Sequence, residues 1–546
     1  MPEEIAPPPE ERTKAPARSL PFASQIAGLK EKIAGLQENK KMGADLLFMT
    51  TYMASLAIAN ATRPEIFSFA SNRHEYISAK YIGKVDTFVK KWNYSYAESL
   101  SIVAERTQND ILRSMLNRYS NSIDSGVPDD DFLSNELSTV RSVYRSQLEQ
   151  GMSMLQKWGD AYVAMLLSGT VIAIIMMISV VIYAPGDLQS TFDMSYAIIL
   201  AICIFGITLM YTSVPDDPKS HGLKERMSKE QETIHAMERI IVPITLAIIV
   251  ILVLLGVSAS LIFILAGILM APLGIIGFID DHNITLRDSD FSVFIRSFGA
   301  IMGGQGTTAV YALGTLDRKS LVALGPLVNS VYSKLNLGLD EKQCWDKFIG
   351  ESGSNLIYKY LNIYRDTVAL GGPPEPIGTV VGSSMLEQTL LREKKDNLAK
   401  GFIVLLVPMH IAMIGIFVAL YQILLVLTGS VATMMSQMSN MSATSGGQSA
   451  GISMGGVFGG GMNLFTNFPA AAMQTYVTIS VSILTIANII AARIVGGGDR
   501  YMYYFYTAIF CTLTGLVLLL APSVVGLFFS AQALTNMGGG VSGTGV

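Results

Sequence analysis

From Ile240 to Phe278 the chain runs for 39 residues without a charged side chain, directly after Arg239. About 20 apolar residues, rising 1.5 Å each, cross a hydrocarbon core of roughly 30 Å. This run is about twice that length and reads as two spans joined by a tight turn near Val257–Ser260. Further runs at 162–183, 195–212, 401–428, 473–493 and 503–530 bring the expected total to seven. In lipid every backbone N–H and C=O must be paired inside its own element. Continuous apolar runs of this length satisfy that as helices, so the expected fold is an all-α polytopic membrane protein.

Orientation follows from the basic residues. Segments 1–161, 213–239, 279–400 and 493–500 hold 19, 5, 13 and 2 Lys and Arg, which is all 39 in the chain. The intervening segments 184–194, 429–472 and 531–546 hold none. This alternation fits seven spans with the N-terminus inside and the C-terminus outside. A signal peptide is not expected, because the first apolar span begins near residue 162. Only 15% of residues are charged, against about 25% in soluble domains. A net charge of −4 without a polybasic tract argues against a nucleic-acid partner. Cys203, Cys344 and Cys511 form no metal or redox spacing, and a disulfide framework is not expected.

The chain divides into a Pro- and charge-rich tail (1–21), an amphipathic helix (22–44) and a first helical unit (45–161). Spans 1–4 (162–278) enclose a charged loop at 213–239. A second helical unit (279–400), span 5 (401–428), an uncharged exterior segment (429–472), spans 6–7 (473–530) and an exterior tail (531–546) follow. The tail composition favours disorder. Ile26, Leu29, Ile33 and Leu36 form a short apolar seam suited to docking on the bundle or on a partner helix. Segment 429–472 carries no formal charge and is rich in Ser, Gly and Met. Two readings stay open for it: a linker with an interfacial part, or an element at 451–472 that re-enters the membrane. Asn440-Met441-Ser442 is a candidate glycosylation sequon.

Shifting the sequence by 246 positions superposes the two polar units. "NDILRSMLNRYSNSIDSGVP" (109–128) falls on "NLIYKYLNIYRDTVALGGPP" (355–374), Gly126 on Gly372 and Pro128 on Pro374. The match is one of pattern, with apolar periodicity, turns and entry into a span in register. Each unit reads as a helical bundle of about 110 residues, a size that can carry its own core.

Sequence signatures of enzyme chemistry are weak. "GGQGTT" at 303–308 lacks the lysine of a phosphate loop, and His74, His221, His235, His282 and His410 form no metal-binding spacing. His410 lies in span 5 and reads better as a satisfied or interfacial histidine than as a proton relay. Asp160, Asp280 and Asp281 stand at span ends rather than mid-membrane, which disfavours a transporter or channel. No catalytic, cofactor-binding or metal-ligating residue is expected, and the chain is not expected to be an enzyme. Two stretches of mixed charge remain, "SVPDDPKSHGLKERMSKEQETIHAMER" at 213–239 and "LREKKDNLAK" at 391–400. They supply a candidate docking surface of Lys219, Lys224, Glu225, Arg226, Lys229, Arg392, Glu393, Lys394, Lys395 and Asp396. Lys394, Lys395 and Lys400 equally suit contacts with membrane lipid.

Tandem helical units that run straight into spans, with turns "NSIDSGVPDDD" and "TVALGGPPEP", resemble the type II secretion F-domain family. These are the inner-membrane platform proteins of secretion systems and type IV pili, and the seven-span pattern is most similar to the archaeal branch serving the archaellum. The resemblance covers about 45–530. It implies a non-enzymatic platform in the cell membrane that docks a cytosolic hexameric ATPase and assembles pilin-like subunits (archaellins). A homodimer or higher oligomer follows by analogy. Junctions 133–162 and 383–408 would then act as levers, and Gly256 and Gly267 would mark faces for close approach of subunits. An adhesive pilus or a type II secretion-like system is the alternative within the family.

Overall fold

A computed structural model describes residues 21–183, 188–214, 217–223, 226–444 and 469–528. The tail 1–20, most of 445–472, the exterior tail beyond 528, and Lys224 and Glu225 lie outside the described residues. The described chain is helical apart from turns and one isolated antiparallel bridge, Ser220 to Ser354.

A long first helix, α1 (Pro21–Ile58), is followed by four short ones: α2 (Arg63–Ser71), α3 (Ala79–Trp92), α4 (Tyr96–Glu105) and α5 (Asp110–Asp124). Then α6 (Asp129–Tyr183) runs 55 residues out of the bundle and through the first apolar span. After α7 (Leu188–Ser213) and α8 (Lys229–Leu254), the 47-residue α9 (Ala259–Gln305) leads from the membrane back into polar sequence. Four short helices follow again: α10 (Ala309–Thr315), α11 (Gly325–Asn336), α12 (Glu341–Ser352) and α13 (Asn355–Ala369). The 71-residue α14 (Pro374–Thr444) leaves the second bundle, and α15 (Ala470–Gly496) and α16 (Met502–Phe528) complete the spans. Among the described residues, seven helices are long and apolar enough to cross a membrane. The chain is an all-α polytopic membrane protein.

The short helices begin where side chains cap them. Thr62 and Glu65 form a capping box on α2, Ser95 accepts the Glu98 N–H at 3.1 Å, and Asp340 accepts the Gln343 N–H at 3.0 Å. Helix starts in the two bundles lie 246 positions apart for α2/α10 and α3/α11, and 245 for α4/α12, α5/α13 and α6/α14. The bundles also share a long-range cap. Asp45 of α1 accepts the N–H groups of Ile77 and Ser78 ahead of α3, and Asp290 of α9 accepts those of Ala323 and Leu324 ahead of α11. Left-handed turns end α5 and α13 at Gly126 (φ +73°) and Gly371 (φ +92°). Gly371 thus takes the turn one residue before Gly372, because the second bundle is one residue shorter between the starts of α11 and α12.

The two bundles do not have separate cores. One buried cluster runs from Leu46, Tyr52 and Leu116 to Phe294, Phe348 and Tyr360. Phe48 meets Tyr360 with ring centroids 5.1 Å apart, and Arg141 reaches the Val380 carbonyl at 3.2 Å. The interface holds because α6 and α14 both present apolar faces toward α1.

The spans form a second core from α6, α7, α14, α15 and α16. Against α16, α9 packs so closely that a Cβ at Gly274 would stand 2.6 Å from the Phe505 Cα. Gly267 belongs to the same contact, where a Cβ would stand 2.9 Å from the Thr512 backbone nitrogen. The expectation that Gly267 marks an outer face is therefore corrected: it is spent on α16. Gly256 lies in the α8–α9 turn at φ +67°. Gly429 does not end α14, which continues helically to Thr444 because no proline follows and Ser, Ala, Thr and Met tolerate the helix.

Candidate functional site

Where α9 and α14 cross the boundary between polar and apolar sequence, the segment Asp217–Leu223 is clipped onto both. Backbone bonds hold it: Asn355 N–H to the Lys219 carbonyl (2.9 Å) and His221 N–H to the Gly353 carbonyl (3.2 Å). The His221 Nε2 lies 3.1 Å from the Gly350 carbonyl, which assigns the proton to that nitrogen.

Charges then lock the segment to the two long helices. Arg392 of α14 is buried and binds Asp217 through Nε (2.5 Å) and Nη2 (2.6 Å). Its Nη1 donates to Asp288 of α9 at 2.9 Å, and Nη2 also donates to the Pro218 carbonyl at 3.1 Å. Asp288 accepts in turn from Ser354 Oγ, and that oxygen accepts the Ile357 N–H that opens α13. Beside this, buried Lys219 bridges Asp281 of α9 (2.9 Å) and Asp396 of α14 (2.8 Å). We call this arrangement the clasp.

Its electrostatics are those of a closed network. Burial works against the Arg392 cation, but Asp217 and Asp288 outweigh it and raise the pKa above its ordinary value. Burial also opposes ionised Asp217, yet the Arg392 guanidinium holds its pKa below the usual carboxylate range. Lys219 is raised because Asp281 and Asp396 overcome its desolvation. Asp288 is pushed up to about 6 by burial, which Arg392 and Ser354 only partly offset. Lys395, buried beside Gly497, is lowered by the same desolvation.

Several residues expected on a docking surface are therefore not on the surface. Lys219, Arg392 and Lys395 are buried, and Asp396 is half-buried against Lys219. The reason is geometric: in one α-helix, positions 392, 395 and 399 share a face, and that face is turned into the protein. Arg226, Lys229, Glu393 and Lys394 do stand exposed. Lys394 reaches Glu149 of α6 at 2.8 Å, and Arg226 faces Asp346 of α12 at 3.5 Å. Lys224 and Glu225 lie outside the described residues, as does the side chain of Asn440. Sequence reasoning missed Asp217 and Asp288, and placed Asp281 only as a span-end acid and Asp396 only on the docking surface. Asp281 and Asp288 are seven residues apart, two helical turns on one face, and that spacing was the available signal.

Inside the spans, His410 is satisfied on both ring nitrogens. Asn488 donates to its Nδ1 (2.8 Å), and its Nε2 meets Thr514 Oγ1 (2.9 Å). Tyr162 donates to Asn488 at 3.1 Å and Thr485 meets Thr514 at 2.9 Å, so the chain of bonds ties α6, α14, α15 and α16 together. It contains no acid. Among the described residues no group of three or more His, Cys, Asp and Glu is arranged for a metal ion, and the three cysteines are free and buried.

Two curated proteins, both described as flagella accessory protein J, are similar to this chain. That of Methanocaldococcus jannaschii is 24% identical over 404 residues, covering 70% of each chain. That of Methanococcus voltae is 24% identical over 381 residues, covering 66% of each. No family model matches the chain, and no solved structure does.

Proposed function

We propose that the chain is the membrane platform of an archaeal type IV pilus-like filament machine, the archaellum, and that it belongs with the type II secretion F-domain proteins. A role in archaellum assembly is supported by the two relatives, whose names place them among flagellar accessory proteins. The finer reading has a cytosolic hexameric ATPase docking beneath the platform, whose motion lifts pilin-like subunits out of the bilayer. The distribution of all 39 Lys and Arg supports placing both bundles on the cytoplasmic side, in the cell membrane.

One observation carries the mechanical part. Helix α14 passes without a break from the shared bundle core, through the clasp, into a span. At 1.5 Å per residue it is about 107 Å long. A displacement applied to the bundle is therefore carried toward the span along one continuous helix, from which Pro408, inside the apolar run, removes one backbone hydrogen bond. The clasp makes α9 and the Asp217–Leu223 segment move with it, so two membrane helices and the segment between α7 and α8 share one input.

The intervals of 245 or 246 between helix starts, the paired caps at Asp45 and Asp290, and the paired turns at Gly126 and Gly371 support a duplication of one helix bundle. A duplicated unit suits a partner built of repeated subunits, such as an ATPase ring. The docking contact in this reading uses the exposed charges Arg226, Lys229, Glu393 and Lys394.

The test is co-purification of the detergent-solubilised chain with the ATPase of the same organism's filament system, beside R226E/K229E/K394E. Retention by the natural chain and loss by the folded variant supports the reading. Retention by both moves the contact elsewhere on the bundles. Absence of binding by the natural chain overturns the platform role.

A further inference from the structure

Between α3 and α4 the first bundle opens a groove of about 700 Å³. Its wall is aromatic: Phe88 meets Trp92 edge to face at 5.4 Å and Tyr94 at 6.0 Å. Trp92 is 64% exposed, the most open tryptophan of the three in the chain. Lys84 and Arg106 stand exposed at the rim, with no ion pair among the described residues. An aromatic-lined groove edged by cations is the chemistry that reads a polyproline II segment carrying acids.

The chain itself supplies such a segment. Residues 2–11, "PEEIAPPPEE", combine four prolines with four glutamates and no basic residue. They are tethered close by. Glu38 of α1 accepts from Tyr81 on the groove wall (3.0 Å) and pairs with Lys80 (2.5 Å). From Glu38 back to Pro21 the helix covers about 26 Å. The ten residues from Pro21 to Glu11 reach roughly 31 Å in an extended polyproline form. The tether is therefore long enough to fold back. We propose that the α3–α4 groove is a binding site for an acidic polyproline segment, and that its occupant is this chain's own residues 2–11, bound in cis. This inference is independent of the filament role.

The experiment uses the full chain in detergent, a truncation lacking residues 1–20, and a synthetic peptide of residues 1–20. The peptide is expected to bind the truncated chain with a change in tryptophan fluorescence. It is expected to give no signal with the full chain, where a tether at about millimolar effective concentration already fills the groove. W92A and K84E/R106E in the truncated chain should each weaken the peptide by about tenfold or more. Their helical circular dichroism should be unchanged, because all three side chains are exposed. Failure of the peptide to bind the truncated chain overturns the proposal, as does binding that neither variant alters. A photo-crosslinker at Pro8 of the full chain should link within one molecule to segment 80–106. Links only between molecules overturn the cis arrangement.

Discussion

Arg392 closes on Asp217 across 175 positions of sequence, joining the long helix α14 to the segment between two spans. The same guanidinium holds Asp288 of α9, so one buried cation fixes three elements. Removing one partner of a buried pair leaves the other charged and unmatched, which costs about 3–5 kcal/mol. R392A should therefore lower the unfolding midpoint of the solubilised protein strongly. R392K should recover only part of the loss, since an ammonium cannot bind Asp217 with two parallel bonds. A thermal unfolding series of the three proteins checks both; equal stability of R392A and the natural chain would refute the clasp.

Asp288 gives the clasp a pH dependence of defined sign. Its pKa in the folded protein is about 6, above the ordinary 3.8, so the folded state binds this proton more readily than the unfolded one. That contribution is present at low pH and is lost as pH rises through about 6. Asp217 acts in the opposite sense, stabilising above its ordinary pKa and failing as pH falls through its lowered value. Between about pH 4 and 6 buried Asp280, also pushed up to about 6, acts in the same sense as Asp288, so Asp288 supplies part of the fall. D288N should flatten the fall in melting temperature across that window, and an unchanged slope would contradict the assignment.

Close packing of α9 on α16 leaves no room for a side chain at Gly274. G274A should destabilise by about 1–3 kcal/mol, the usual range for overpacking. G415A on α14 is the control, because a Cβ there meets nothing within 4 Å. Relative denaturant midpoints in one detergent decide between them.

Asp45 and Asp290 cap the second short helix of their respective bundles from the preceding long helix. D45A and D290A should each cost about 1–2 kcal/mol. Amide exchange should rise locally at 77–82 in the first variant and at 323–328 in the second. Exchange that rises evenly over the whole protein would argue against discrete caps.

The spans were legible because a run of 39 uncharged residues has few ways to fold in lipid, whatever its neighbours do. The helix caps were partly legible too, since Thr62-Arg-Pro-Glu65 is a local pattern. The clasp was not. Lys219, Arg392 and Lys395 look like solvated charges in sequence, because the acids and backbone that bury them come from α9 and from residues far along the chain. Position within α14 held a usable clue: 392, 395 and 399 face inward while 393, 394, 397 and 400 face out, the division a helix period imposes. Gly267 failed as an outer-face marker for a related reason, as a small residue in a span signals close approach without saying to which neighbour.

In the proposed function, α14 carries motion from the bundle to the span along one continuous helix. A flexible Gly-Gly-Ser insertion after Lys400, between the clasp and the span, leaves the bundles, their charges and the membrane segments intact. The measurement is the number of filaments per cell when this variant replaces the natural chain at matched membrane abundance. Transmission along α14 requires that the variant still retain the ATPase in co-purification while filaments disappear. Filaments at the natural number would contradict it.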